Sequence, residues 1–375
     1  MKALTCRFVL SGHNPYMTSL IFWGFLNLLA RARPDVIGYI SIEGYSNTYI
    51  IDINVNESEC RNIVECINNT YKNVYSEILA RIKNREGNAY RAWFAAFRGS
   101  APSFLKVQIA DTIDVSVYLS NILNPHVCTG NLKKPHVTIS GSIGKWFWST
   151  GSIGSRVKAL ESCDVCRSLA IVGLEYESIV IRSRTQGLII TIGFEGILHE
   201  EETFTLSSLL SSTSPWTKII SNRITPRILD RIPATTLPLI ISTYLPTDLP
   251  LTINWYIMCN IIGTGRTLEY GSYRLNEYID FMNHIKAMWP YLPTLINILI
   301  KALNRDELMT DAITLLSLLS ECAQIRRPMY TYMIMREITS FIERVKKLNL
   351  ERHLNLSRLK DMNKCAIALG TCLLE

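Results

Sequence analysis

Apolar and polar positions change their rhythm several times along this chain, and each change predicts an element. Leu4–Leu10 reads as a strand. Pro15 opens an apolar helix that runs to about Arg33, and Pro34 is placed to stop it. Val36–Ile42 and Thr48–Val55 alternate around Gly44 and Asn47, the pattern of a hairpin. Glu57–Lys83 carries Ile63, Val64, Ile67, Val74, Ile78, Leu79 and Ile82 at helical spacing. Residues 106–123 return to strand character. Ser168–Leu174, Ser178–Ser183 and Gly187–Phe194 read as a three-stranded meander, with turns at Gly173-Leu174-Glu175 and Thr185-Gln186-Gly187.

The second half reads differently. Residues 214–250 hold Pro215, Pro226, Pro233, Pro238, Pro246 and Pro250, and predict an irregular linking segment. Beyond Leu251 strand signal nearly vanishes. Helices are expected at 274–288, 291–303, 305–323, 328–348 and 354–373, with Leu308, Ala312, Leu315, Leu316 and Leu319 as a core-facing stripe. The fold class is therefore α+β: a mixed N-terminal half with an antiparallel sheet, then a C-terminal helical bundle. The expected partition is 1–105 as a mixed domain, 106–213 as a β-rich region, 214–250 as linker and 251–375 as bundle.

Charge changes this picture in one segment. Val115 to Lys158 contains no Asp and no Glu, yet carries Lys133, Lys134, Lys145, Arg156 and Lys158. Trp146, Phe147 and Trp148 sit among those cations, bracketed by Gly-Ser-Ile-Gly at 141–144 and again at 151–154. Cations at this density neutralise phosphates, and indoles stack on bases, so the segment is a candidate nucleic-acid interface. A hairpin tip with its aromatics folded onto the core is the structural alternative. A second basic stretch lies at 323–360, where Arg336, Arg344 and Lys347 are spaced to share one helical face. A third, 81–98, mixes Arg81, Arg91 and Arg98 with Trp93, Phe94 and Phe97, whose aromatics are expected in the core. The whole chain of 375 residues is 48% hydrophobic with a formal charge of +7, which excludes a disordered protein and suits an anionic partner.

The ten cysteines are scattered and do not form the framework of a small secreted domain. Cys163-Asp164-Val165-Cys166 could supply half of a tetrahedral zinc site, completed by Cys128 and His136, or by His126. Plain thiols or a disulfide are the other outcomes for that pair, and no cofactor beyond such a structural zinc is expected. Gly263-Thr264-Gly265-Arg266-Thr267 lacks the ending of a phosphate loop and reads as a turn. The six histidines are dispersed, with no Gly-x-Ser-x-Gly and no His-Glu-x-x-His, so no catalytic constellation stands out. The longest early apolar run, Tyr16–Ala30, is shorter than the roughly 18–20 residues a membrane span needs, and no membrane association is expected.

In outline the chain resembles the large subunits of archaeal type I-A CRISPR interference (Cascade) complexes. The likeness lies in Gly12-His13-Asn14-Pro15 leading into the helix Tyr16–Arg31, in the hairpin Val36–Val55, and in Trp255-Tyr256 and Glu269-Tyr270 to Tyr278 entering the bundle. The resemblance implies a cytoplasmic antiviral subunit that contacts guide RNA and target DNA without cutting them. Its partners would be the other subunits of the complex, with sequence reading delegated to guide pairing. It also makes the acid-free segment the candidate contact with target DNA and the basic helix a backbone track. An accessory nuclease of the same systems and a lineage-specific protein-interaction subunit are the alternatives.

Overall fold

A computed structural model describes residues 5–11, 13–45, 47–97, 108–120, 126–130, 132–140, 161–182, 186–200, 224, 228, 231–232, 234–245, 249–250, 252–263 and 266–372. They form an α+β structure with an antiparallel sheet of seven strands in the N-terminal part and helices in the C-terminal part. The chain divides into two compact units, one of 1–218 with 252–272 and one of 219–251 with 273–375.

In the first unit, β1 (Thr5–Ser11), β2 (Ile40–Tyr45) and β3 (Thr48–Asn54) pair as predicted for the first strand and hairpin. Residues Pro34–Tyr39 form a 3-10 turn, so the first part of the expected hairpin strand is not strand. Next come β4 (Ile179–Arg182), β5 (Gly187–Leu198), β6 (Asn254–Gly263) and β7 (Arg266–Arg274), in the sheet order β1-β3-β2-β5-β6-β7 with β4 also on β5. β5 holds the sheet together: Gly187–Arg182 and its neighbours join β4, Gly196–Leu198 join β2, and Gly187–Glu195 join β6. Phe22, Tyr49, Phe194 and Trp255 pack as an aromatic cluster on this sheet, with Phe22 stacked on Tyr49 at 4.1 Å.

Helix α1 (Pro15–Ala32) has every residue from Tyr16 to Leu29 buried. Proline fits its first turn, where no N–H is needed, and the Asn14 side chain accepts from Met17 N at 2.8 Å. Helix α2 (Glu57–Lys83) is amphipathic, burying Ile63, Ile67, Tyr71, Val74, Ile78 and Ile82, and a disulfide from Cys6 on β1 to Cys60 ties it to the sheet. Helix α3 (Gly87–Phe97) follows; the buried Glu175 carboxylate accepts from Ala89 N at 2.7 Å in its first turn and from Arg81 at 2.9 Å. The basic-aromatic stretch at 81–98 is thus partly structural, with Trp93 buried.

Three predicted elements are corrected. Residues 168–174 are not a strand: Asp164–Tyr176 is helix α4, buried from Cys166 to Tyr176. Ser-Leu-Ala-Ile-Val-Gly-Leu is apolar throughout, and a run buried on all sides has no period that separates helix from strand. Gly173 is not a turn glycine either. A Cβ there would lie 2.0 Å from Leu20 O, and one at Gly24 would lie 2.0 Å from Leu169 O, so α1 and α4 meet backbone to backbone through two glycines. Residues 108–120 hold a 3-10 turn, Val115–Tyr118, and only an isolated bridge from Leu119 to Phe8, instead of a strand.

The third correction is the strand pair β6–β7, which falls where only helices were expected. β6 is buried at Trp255, Ile257–Cys259 and Ile262, so it lacks the clean alternation of a one-sided strand.

In the second unit the helices fall near their predicted positions: α5 (Asn276–Met288), α6 (Leu292–Ala302), α7 (Met309–Ile325), α8 (Met329–Lys347) and α9 (Met362–Cys372). The proline-rich segment is not simply a linker, because Leu237–Ser242 is a helix with every residue buried. Among the described residues no helix is long and apolar enough to cross a membrane.

Candidate metal centre

The chain on either side of residues 134–161 meets at one point. Lys133 and Ser162 pair as an isolated antiparallel bridge, with N–H to carbonyl distances of 3.1 and 3.0 Å in the two directions. Residues 134–161 are therefore an excursion in sequence closed at its two ends by this bridge, with His136 and Thr138–Ser140 inside it buried. Arg167, fully buried, locks that base. Its guanidinium donates to Ser162 O, to Lys133 O at 3.4 Å and to the Asp164 carboxylate. The helix Val137–Ser140 is held against the start of α1, where Tyr16 Oη donates to Thr138 O at 2.9 Å and Asn14 Nδ2 donates to Ser140 O.

Beside this base four metal-ligating side chains converge. Cys163 is the N-cap of α4 and Cys166 lies in its first turn, so a tight turn brings both thiols to one place. His126 and Cys128 arrive from the segment before Lys133. One ligating atom from each of His126, Cys128, Cys163 and Cys166 lies within 4.8 Å of the others. His126 Nε2 is 3.4 Å from Cys163 Sγ, and Cys128 Sγ is 3.6 Å from Cys166 Sγ. Cys163 and Cys166 are buried; His126 and Cys128 are half-buried.

A further layer surrounds them. Tyr118 Oη lies 3.0 Å from Cys166 Sγ and His13 Nε2 lies 3.6 Å from Cys128 Sγ. The phenol stays neutral, because burial first and the nearby Cys166 next push its ionisation well above the ordinary tyrosine range. Hydrogen bonds from Cys163 and then Cys166 favour the Cys128 thiolate, and the contact with Cys128 pushes the Cys166 thiol up. Burial disfavours a charged His126, yet its hydrogen bonds to Cys128 and Cys163 outweigh that and lift it to about 9.

The centre joins only some of the residues expected from sequence. Cys163 and Cys166 are at the centre, with Cys128 and His126. His136 is not: it is buried against Thr138 at 2.8 Å, and burial lowers it to about 4. Lys133 is half-buried and Lys134 exposed at the base of the excursion. Lys145, Trp146, Trp148, Arg156 and Lys158 lie outside the described residues. Arg336, Arg344 and Lys347 are exposed on α8, in the second unit; Arg336 pairs with Glu337 at 2.7 Å and Arg344 with Asp311 at 3.1 Å.

Sequence reasoning passed over Arg167, Tyr118 and His13. Tyr118 carries no local signal, since it acts on a partner 48 residues away, and Arg167, although paired locally with Ser162 and Asp164, reaches Lys133 only through the fold. His13 stands in the sequence within Gly12-His13-Asn14-Pro15 and among six dispersed histidines, and its proximity to Cys128 needs the third dimension. Compared with known protein families and with curated proteins, the sequence matches none.

Proposed function

We propose that this chain binds nucleic acid through the phosphate backbone and holds it without cutting it. One observation carries the reading: the segment from Lys133 to Ser162, which holds all five cations of the acid-free run, is paired at its two ends, with Lys134 exposed beside them. A loop closed at its base, with five cations from 133 to 160 against the single carboxylate of Glu161, can follow a polyanion with little self-pairing of its charges. The exposed Arg336, Arg344 and Lys347 offer a second basic surface, partly shared with Glu337 and Asp311. Among the described residues, the one grouping of potential metal ligands is rich in thiols. That donor set favours a structural ion over the carboxylate-bound ions of hydrolytic nucleases.

The resemblance to type I-A large subunits gives this reading its particular form. The nucleic acid is then guide RNA and target DNA, the protein partners are the other subunits of a CRISPR interference complex, and the compartment is the cytoplasm. The test is fluorescence anisotropy of the full chain with labelled single-stranded and duplex DNA and RNA across a salt series. If all five cations of the excursion meet phosphates of a single strand, log K against log salt falls with a slope of about −3 to −4. No cleavage is expected with added magnesium or manganese. A flat salt plot or absence of binding overturns the proposal, and metal-dependent cleavage turns it into the nuclease reading.

A further inference from the structure

Four side chains converge beside the base of the excursion, and their spacing is the evidence. Zinc held tetrahedrally at about 2.3 Å from sulfur and about 2.0–2.1 Å from nitrogen sets its sulfurs about 3.8 Å apart and a sulfur–nitrogen pair about 3.6 Å apart. The Cys128–Cys166 separation of 3.6 Å and the His126–Cys163 separation of 3.4 Å already lie near those edges. The remaining separations, all within 4.8 Å, need a closure of about 1 Å or less. We infer that His126, Cys128, Cys163 and Cys166 bind one zinc ion and so fasten the two ends of the basic excursion to each other.

The donor set selects the metal class. Three thiols and one imidazole form a soft set, which suits zinc in tetrahedral geometry and does not suit magnesium or calcium. Binding deprotonates the three thiols and uses His126 as a neutral ligand through Nε2, leaving a site of net charge −1. That charge sits at the N-terminus of α4, where unpaired backbone N–H groups favour it. Tyr118 then donates its O–H to Cys166 Sγ, and His13 lies where Nε2–H can donate to Cys128 Sγ. Such donors around a zinc site hold the ligands in orientation.

The consequence for the chain is local. His126 and Cys128 precede Lys133, and Cys163 follows Ser162, so the metal closes the excursion just outside the Lys133–Ser162 bridge. A base joined by one backbone bridge becomes a base joined by a metal as well. The entropy of closing the long segment is then no longer lost when nucleic acid binds. This last step rests on the proposed nucleic-acid reading; the zinc site itself does not.

The test starts with metal content. The full chain, purified under reducing conditions, is expected to carry one equivalent of zinc by elemental analysis. A Cys163→Ser, Cys166→Ser double variant is expected to carry none, while Cys259→Ser, at a buried thiol elsewhere, keeps it. Should the double variant fail to fold, the parent answers alone. It is stripped with 1,10-phenanthroline and titrated with cobalt, which gives thiolate-to-cobalt charge-transfer bands and the intense visible bands of a tetrahedral site. Unfolding on stripping that is reversed by zinc and not by magnesium also supports the site.

Three results overturn the inference: a folded parent with no zinc that takes up no cobalt, iron in place of zinc, or a disulfide among Cys128, Cys163 and Cys166 by peptide mapping. Zinc without nucleic-acid binding would leave the metal site standing and remove the proposed function. Where both hold, stripping the zinc weakens nucleic-acid binding at least several-fold at fixed salt.

Discussion

Two places in the first unit bring together sulfurs from distant segments, and they do so by different chemistry. Cys6 and Cys60 stand as a simple pair, one on β1 and one on α2, and close a covalent bond with a sequence separation of 54. Cys128, Cys163 and Cys166 gather with an imidazole, inside a layer that includes Tyr118 and His13. Two sulfurs facing each other satisfy themselves. Three sulfurs and a nitrogen with their ligating atoms all within 4.8 Å of one another are the donor set of a candidate cation site. The lesson is that the number and type of neighbours, more than burial, separates a cross-link from a metal site.

The sharpest way to break this comparison is to attack each junction with the reagent meant for the other. Chelation by 1,10-phenanthroline without reductant is expected to have the largest effect. Structural zinc supplies about 10–16 kcal/mol in small zinc-binding peptides, so even part of that exceeds every other effect considered. The readout is the melting temperature with and without chelator; no shift for zinc-loaded protein would place the two junctions in one class. Reduction without chelator comes next. By the chain-entropy account, opening the Cys6–Cys60 link costs about 4 kcal/mol of stability, seen as a lower denaturant midpoint. A Cys6→Ser variant should no longer respond to reductant. If it still does, the thiols at the second junction are oxidised as well.

Two histidines extend the contrast. His126 sits among sulfurs and is lifted to about 9, whereas His136, ten residues on, is buried without an anion and falls to about 4. For His136 the folded state prefers the neutral ring. Its contribution is therefore complete above about pH 6.5 and is lost as pH falls toward 4, about 3 kcal/mol in all. Urea unfolding across that window measures the loss, and His136→Gln should flatten the curve there. The smallest effect belongs to the excursion. Lys134→Ala should leave stability unchanged and reduce the magnitude of the salt slope of nucleic-acid binding by about 1. An unchanged slope would separate the excursion from the interface.

The sequence was legible where its pattern was one-sided. α2 shows this, with a clear buried stripe at Ile63, Ile67, Val74, Ile78 and Ile82; so does α1, where Asn14 and Pro15 mark the start. It misled where burial is complete. Residues 168–174 and 254–263 are apolar on several sides, and there period and length no longer discriminate. The centre was half legible. Cys163 and Cys166 lie one helical turn apart and announce themselves, but choosing His126 over His136 as their partner depends on a fold that buries His136 elsewhere. Tyr118 and His13 act across long sequence separations, which no local pattern records.

The meeting of Gly24 and Gly173 has a mechanical consequence. Backbones in direct contact cannot slide past each other as side chains can, so this point works as a fixed pivot between α1 and α4. Cys166 lies seven residues from Gly173 along α4, about 10 Å at the helical rise, while His13 stands just before Asn14, the N-cap of α1. The pivot thus gauges the distance between an inner thiol and the histidine beside its neighbour. A single methyl group at Gly24 would meet Leu169 O, one turn of α4 from Cys166, and push the two helices apart beside the sulfur cluster.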